Sequence, residues 1–353
     1  MKNSLTRLLL VSLFAFCLLL SACGAQAPAS APAETPAPTP EAAAEAPAEP
    51  SAPETALDTD LPVRVMTLNG TTGFGMAGLI AEHSAGGTAL NYSFTVDTDA
   101  SNVTAALVNG DCDIAALPTN AASALYNKTE GGVRVLALNT RGVLYLVTDG
   151  SVKVESISDL AGMTVYAPAQ NPSFIFGHIC KANGVEVEID NSYAQPAELN
   201  TAVAAGEVSV AVLPEPMVTV ARSQNPDLQV ALDLTAEWDK VSEPGSLVQG
   251  CVVVRADFAD AHPAELAQFL ADYEASVALL TSDTAAAAKA IEDAGIFAKA
   301  AVAEKAIPNC NVCFVTGAEM QAQLSAFLEI MFETAPQSIG GKLPADDFYC
   351  ILK

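Results

Sequence analysis

From about residue 60 onward, short apolar runs alternate with longer segments whose apolar residues recur every three or four positions. The runs at 63–68, 133–139, 142–149, 228–234 and 250–257 have the length of strands. Loops carrying Gly, Pro or Asn punctuate them. The last hundred residues read as helices. One opens near Pro263 and places Leu266, Phe269, Leu270, Tyr273 and Val277 on a stripe. A second covers 281–295 and stops at Gly295. A third is predicted to begin with a capping box at Thr316 and Glu319. Its stripe is Met320, Leu324, Phe327, Leu328 and Met331. These Met and Phe positions are expected in the core.

The strand-bearing region repeats itself. Residues 106–120, ALVNGDCDIAALPTN, align without gaps on 202–216, AVAAGEVSVAVLPEP. Gly110 matches Gly206, Asp111 matches Glu207, Leu117 matches Leu213 and Pro118 matches Pro214. Each copy reads as a helix end with a glycine cap, a short buried strand and a proline-bearing loop. Upstream, VRVMTLNGTTGFGMAGLI faces MTVYAPAQNPSFIFGHI. Downstream, 133–139 faces 228–234 and 142–149 faces 250–257. Strands alternating with helices imply a parallel sheet covered on both faces. Two copies imply two similar α/β lobes. Ligands of such sheets bind beyond the carboxyl ends of the strands. The candidate rim loops are therefore 69–73, 118–120 and 139–140 in the first copy, and 170–173, 191–193 and 214–216 in the second.

The N-terminus changes the setting. Lys2 and Arg7 precede an apolar run at 8–20, too short for a comfortable membrane span. Residues 1–22 read as a secretory signal. LSAC, ending at Cys23, looks like a bacterial lipobox, which implies lipidation of that cysteine. Residues 23–59 are rich in Ala, Pro and Glu and nearly free of large apolar residues, so a disordered tether is expected. Without residues 1–22 the chain holds 14 basic and 41 acidic residues, a formal charge of −27. Such a surface repels phosphate backbones, and nucleic acid is not an expected partner. Six cysteines remain beyond Cys23: Cys112, Cys180, Cys251, Cys310, Cys313 and Cys350. Their pairing is open. Cys310 and Cys313 form the one CxxC, and His83, His178 and His262 are scattered, so no metal site is expected.

The segment GFGMAG at 73–78 fits a dinucleotide-binding fingerprint, with Asp97 near the position of a ribose-binding acid. Export argues against it, because no nicotinamide pool is expected outside the cell. The glycines have another reading: Gly70 and Gly73 allow a tight turn, while Gly75 and Gly78 let a helix approach the sheet. No cofactor is expected. No Ser/His/Asp set and no carboxylate pair stands out, and an enzyme is not expected.

The motifs TLNGTTGFGMAGLI, NGDCDIAALPTNAASALYNK, NTRGVLYLV, SDLAGMTVYAP, VLPEPMVT and SIGGKLPADDFY, in that order, resemble the solute-binding proteins of bacterial ABC importers. The similarity is to the branch of NMT1/THI5-like and nitrate/sulfonate/taurine-binding proteins. It implies a type II periplasmic-binding fold of two lobes joined by two crossing strands, with ligand in the cleft. The crossings would be 142–149 and 250–257. Lobe 1 would be 60–145, completed by 255–353, and lobe 2 would be 146–254. A monomer is expected, partnered by a small molecule, an ABC permease with its ATPase, and the membrane through the lipid.

The expected ligand contacts are Asn69, Thr71, Thr72, Gly73, Phe74, Thr119, Asn120, Asn139, Thr140, Gln170, Asn171, Ser173, Phe174, Tyr193 and Glu215. Most are neutral hydrogen-bonding groups. Glu215 is the one acid, and Phe74, Phe174 and Tyr193 offer ring faces. No lysine lies in these loops, which disfavours a highly charged anion. A thiamine-pyrimidine-like heterocycle suits Glu215 and the rings. A sulfonate or nitrate held by helix N-termini is the alternative. A ligand-sensing domain that reports to a membrane partner is the other functional class.

Overall fold

The computed structural model describes residues 56–352. The signal, Cys23 and most of the tether lie outside the described residues. The expected tether boundary at 59 falls inside them. Leu57 packs against the core, and the Asp58 N–H donates to Glu265 Oε1 at 2.8 Å. The folded body therefore begins a few residues earlier than the composition suggests.

Eleven strands form two sheets among the described residues. The first is built from β1 (Pro62–Leu68), β2 (Asn91–Asp97), β3 (Ile114–Pro118) and β4 (Val133–Arg141). The second contains β5 (Leu144–Thr148), β6 (Thr164–Tyr166), β7 (Glu188–Asp190), β8 (Val210–Pro214) and β9 (Gln229–Asp233). Then β10 (Val248–Arg255) and β11 (Val312–Val315) return to the first sheet. The strand orders are β11-β4-β10-β3-β1-β2 and β7-β6-β8-β5-β9.

The two crossing strands exchange between the sheets. β5, expected to end the first copy, pairs only in the second sheet, between β8 and β9. β10, expected to end the second copy, inserts between β3 and β4. Both run antiparallel to their neighbours, so neither sheet is the all-parallel one expected. The direction follows from the route. A chain arriving from the other lobe enters at the cleft, where the parallel strands end, and can only run back against them.

Four short helices cover the first sheet's loops: α1 (Thr71–Phe74), α2 (Ala77–Ser84), α3 (Ala100–Asn109) and α4 (Thr119–Lys128). The second sheet carries α5 (Asn171–Ala182), α6 (Pro196–Ala204), α7 (Met217–Gln224) and α8 (Leu234–Trp238). The C-terminal set is α9 (Ala256–Ala261), α10 (Pro263–Ser282), α11 (Thr284–Asp293), α12 (Ala300–Ala306) and α13 (Gly317–Thr334). The expected stripes on α10 and α13 are largely buried, with Leu266, Phe269, Tyr273, Met320, Leu324, Phe327, Leu328 and Met331 inside. The expected capping box at Thr316 does not form: that side chain makes no cap bond, and Glu319 Oε1 accepts from Gln323 Nε2 at 2.8 Å.

Gly75 and Gly78 serve close approach, but against α10 rather than the sheet. A Cβ at Gly75 would stand 2.6 Å from Tyr273 Oη, and one at Gly78 2.8 Å from Ser276 Oγ. One apolar cluster runs behind the cleft through both lobes. It joins Leu138, Cys251 and Val253 to Leu146, Val165, Phe176 and Trp238, with Phe327 of α13 against the indole. No helix among the described residues is long and apolar enough to cross a membrane.

Candidate functional site

The first loops of the two lobes repeat one backbone conformation, one hundred residues apart. Gly70 precedes α1 with φ 83° and ψ −160°, and Gln170 precedes α5 with φ 69° and ψ −134°. Glycine adopts this region freely. A residue with a Cβ is strained there by about 1–3 kcal/mol. Each turn brings the first residue of the next helix, Thr71 or Asn171, to the cleft.

The rims touch across the cleft. Thr71 Oγ1 donates to the Glu215 carbonyl oxygen at 2.8 Å. Asn171 Nδ2 donates to Asn120 Oδ1 at 2.8 Å. Asn171 is only 9% exposed, and its Oδ1 has no hydrogen-bond partner. A buried amide oxygen without a donor costs about 1–3 kcal/mol, so this atom is a ready acceptor. Asn69 and Gln170 are exposed, and Thr72 is half-buried. Tyr193 is also half-buried and lies tilted against Tyr166, ring centroids 6.0 Å apart.

Other expected contacts belong to the interior. Phe74 is fully buried and packs edge-on against Phe297 among residues of α11 and α12. It offers no face to a ligand, which corrects the expectation. Gly73 is buried where a Cβ would collide with the Leu68 carbonyl oxygen. Thr119 Oγ1 donates to the Val248 carbonyl at 2.8 Å, tying α4 to β10. Asn139 Nδ2 donates to the Thr72 carbonyl at 3.1 Å, and Thr140 Oγ1 donates to Asn139 Oδ1 at 3.0 Å. Ser173 Oγ donates to the Pro168 carbonyl at 2.8 Å, and Phe174 is half-buried against the core. These side chains shape the rim from within.

Glu215 neither faces water nor lies open to the rim. It is 4% exposed and follows β8, with a cis bond to Pro216. Its carboxyl accepts from the Thr219 N–H at 3.1 Å and Thr219 Oγ1 at 3.0 Å. Burial pushes its pKa above the ordinary glutamate value, opposed by the Thr219 bonds and by Arg222. Beside it lies a cavity of about 500 Å³ lined from both lobes. Tyr145, Thr219 and Arg222 come from the second lobe, while Lys305 and Asn309 come from the C-terminal segment. Tyr145 Oη donates to the Asn309 carbonyl at 2.9 Å, closing one side.

None of those five residues was expected. Glu215, Thr219 and Arg222 stand at i, i+4 and i+7, a helical stripe that the sequence does offer. Lys305 and Asn309 fall outside the repeat and leave no such trace. Among the described residues all six cysteines are free, and no cluster of metal-ligating side chains occurs. Burial raises the thiol pKa of Cys112 and Cys180 to about 12 and of Cys313 to about 11.

Two lobes, exchanged strands and a cleft at the strands' carboxyl ends define a type II periplasmic-binding fold. Residues 84–307, more than half of the chain, match the family model described as the substrate binding domain of ABC-type glycine betaine transport system. The chain belongs to that family of ABC-importer substrate-binding domains. No curated protein matches it. Among solved structures it is similar to an ABC transporter protein from Parabacteroides distasonis. The identity there is 22%, coverage is 84% of this chain and 100% of that one, and the TM-score is 0.71. The periplasmic aliphatic sulphonate binding protein SsuA from Escherichia coli is 14% identical, over 83% and 94% of the two chains, with a TM-score of 0.65. The ligand binding component of an ABC-type import system from Staphylococcus aureus, with zinc bound, is 14% identical over 82% and 96% of the two chains, with a TM-score of 0.62.

Proposed function

We propose that this chain is the lipid-tethered solute-binding subunit of an ABC importer, anchored through Cys23 on the outer face of the cell membrane. Ligand bridging the two rims favours the closed arrangement, a hinge motion. The closed form is the one presented to the permease.

The observation that carries the ligand reading is the unpartnered Asn171 Oδ1, buried at the rim beside the Asn120 contact. It asks for a donor. An amino-bearing heterocycle of the thiamine-pyrimidine kind supplies N–H groups there, and Tyr193 supplies a ring face. A fully ionised sulfonate supplies acceptors only. The second reading, a sulfonate-like anion, draws support from the free N–H groups that open α5 and from the sulfonate-binding neighbours.

The test is native mass spectrometry of the purified chain, with any retained molecule released and identified. A stoichiometric heterocycle with N–H donors supports the reading, and Asn171→Ala should then weaken its binding about tenfold. A retained sulfonate moves the assignment to the second reading. A chain that retains nothing, and that no member of a panel of pyrimidines and sulfonates stabilises, would sink solute capture and favour a sensing role.

A further inference from the structure

The cavity beside Glu215 is not accounted for by the rim. It shares Glu215 with the expected contacts and none of the others. It is separated from the Asn120–Asn171 contact in sequence and by element, since its walls are α7, β9, α12 and the turn at Asn309. Its charged lining is Glu215, Arg222 and Lys305.

Two features mark it out. Arg64, Arg134, Arg141 and Arg255 all lie in ion pairs, so Arg222 is the one arginine among the described residues outside any. Lys305 is likewise in none of the ion pairs found. In a chain with 41 acidic and 16 basic residues, two uncommitted cations facing one cavity are conspicuous. Each sits in the last turn of its helix, where a cation offsets the helix dipole. That ordinary role does not require the two helices to come from opposite lobes and meet at one cavity. On its outer flank Arg222 also borders a groove holding Asp149 and Asp227, and it pairs with neither.

We infer that the cavity is a second binding site, for a small oxyanion held between Arg222 of one lobe and Lys305 of the other. Bringing two cations together on closure is unfavourable, and a bound oxyanion reverses the sign. The buried Glu215 beneath them is hydrogen-bonded by Thr219, and Arg222 acts on it through its charge without forming an ion pair, so both cations keep their donors for a ligand. Tyr145 and Thr219 add hydroxyls to the lining. The site thus makes closure depend on an anion as well as on the rim ligand. This rests on the reading of the chain as a two-lobed protein that closes.

Inorganic phosphate and ethanesulfonate serve as probes, titrated calorimetrically into the full chain with sodium chloride at matched ionic strength as the control. Saturable binding is expected for both oxyanions. Arg222→Gln and Lys305→Gln should each weaken it about tenfold, as loss of one charge-assisted contact does. Small-angle scattering should show a smaller radius of gyration with phosphate, and no change in the double variant. Circular dichroism of the double variant checks that it is folded, and a misfolded one is replaced by Arg222→Lys with Lys305→Gln. No binding by the wild type, or equal binding by the double variant, overturns the site. The two readings fail separately. A rim ligand retained by wild type and double variant alike, with flat phosphate titrations, removes this site and leaves solute capture intact. Saturable phosphate binding that needs both cations, in a chain retaining no rim ligand, does the reverse.

Discussion

Residues 63–74 and 163–174 build the same turn with different side chains, and their differences divide the labour of the cleft. Where the first lobe has Gly70, the second has Gln170 in nearly the same conformation. Where the first has Gly73 pressed against the Leu68 carbonyl, the second has Ser173 donating to the matching Pro168 carbonyl at 2.8 Å. Phe74 is buried against the C-terminal helices, whereas Phe174 remains half-buried. The first lobe's turn is drawn tight by the extra helices behind it. The second, without them, keeps a hydroxyl spacer and accepts strain at Gln170. One backbone solution thus serves a packed wall in one lobe and a looser wall in the other.

The comparison breaks most readily at position 74. Phe74→Ala should cost about 3–5 kcal/mol in denaturant unfolding, and Phe174→Ala clearly less. Equal costs would mean that the two turns are packed alike. Next, Gly73→Ser copies the second lobe's residue into the first. With no room before the Leu68 carbonyl, the expected loss is about 2–3 kcal/mol, and a neutral result would show that the tight turn can relax. Exchanging the cap residues should give effects of opposite sign. Gln170→Gly should stabilise by about 1 kcal/mol, strain relief exceeding glycine's entropy, while Gly70→Gln should destabilise by a similar amount.

The smallest effect concerns Glu215. Because burial raises its folded-state pKa, the native state holds its proton more tightly than the unfolded state. Stability from this group therefore falls as pH rises from the ordinary glutamate value through the raised one. Glu215→Gln should flatten the stability curve over that window and leave the melting temperature higher at neutral pH. An unchanged slope would mean that the Thr219 bonds offset the burial.

Much of this architecture was legible in the chain. The repeat gave two similar lobes, because the same strand-loop-helix pattern must bury the same faces twice. The rim loops followed from the strand ends. What was not legible was which sheet a strand joins. Residues 250–254 are apolar enough for either, and only the route across the cleft assigns them to the first. Phe74 misled for a related reason. Its neighbours in α11 and α12 lie more than two hundred residues later, outside the repeat. Arg222 was missed although it continues a stripe from Glu215, because the stripe was read only as far as the loop.

The exchanged strands have a consequence for how the molecule is made. β10 occupies a middle position in the first sheet, between β3 and β4, yet it is encoded after the whole second sheet. On the ribosome the leading half therefore waits with a gap at its centre while residues 144–233 emerge and can assemble. At about 5–20 residues per second, that wait lasts several seconds. The half that is synthesised first is the half completed last, and a nascent chain stalled before residue 248 would display an open slot between two apolar strands.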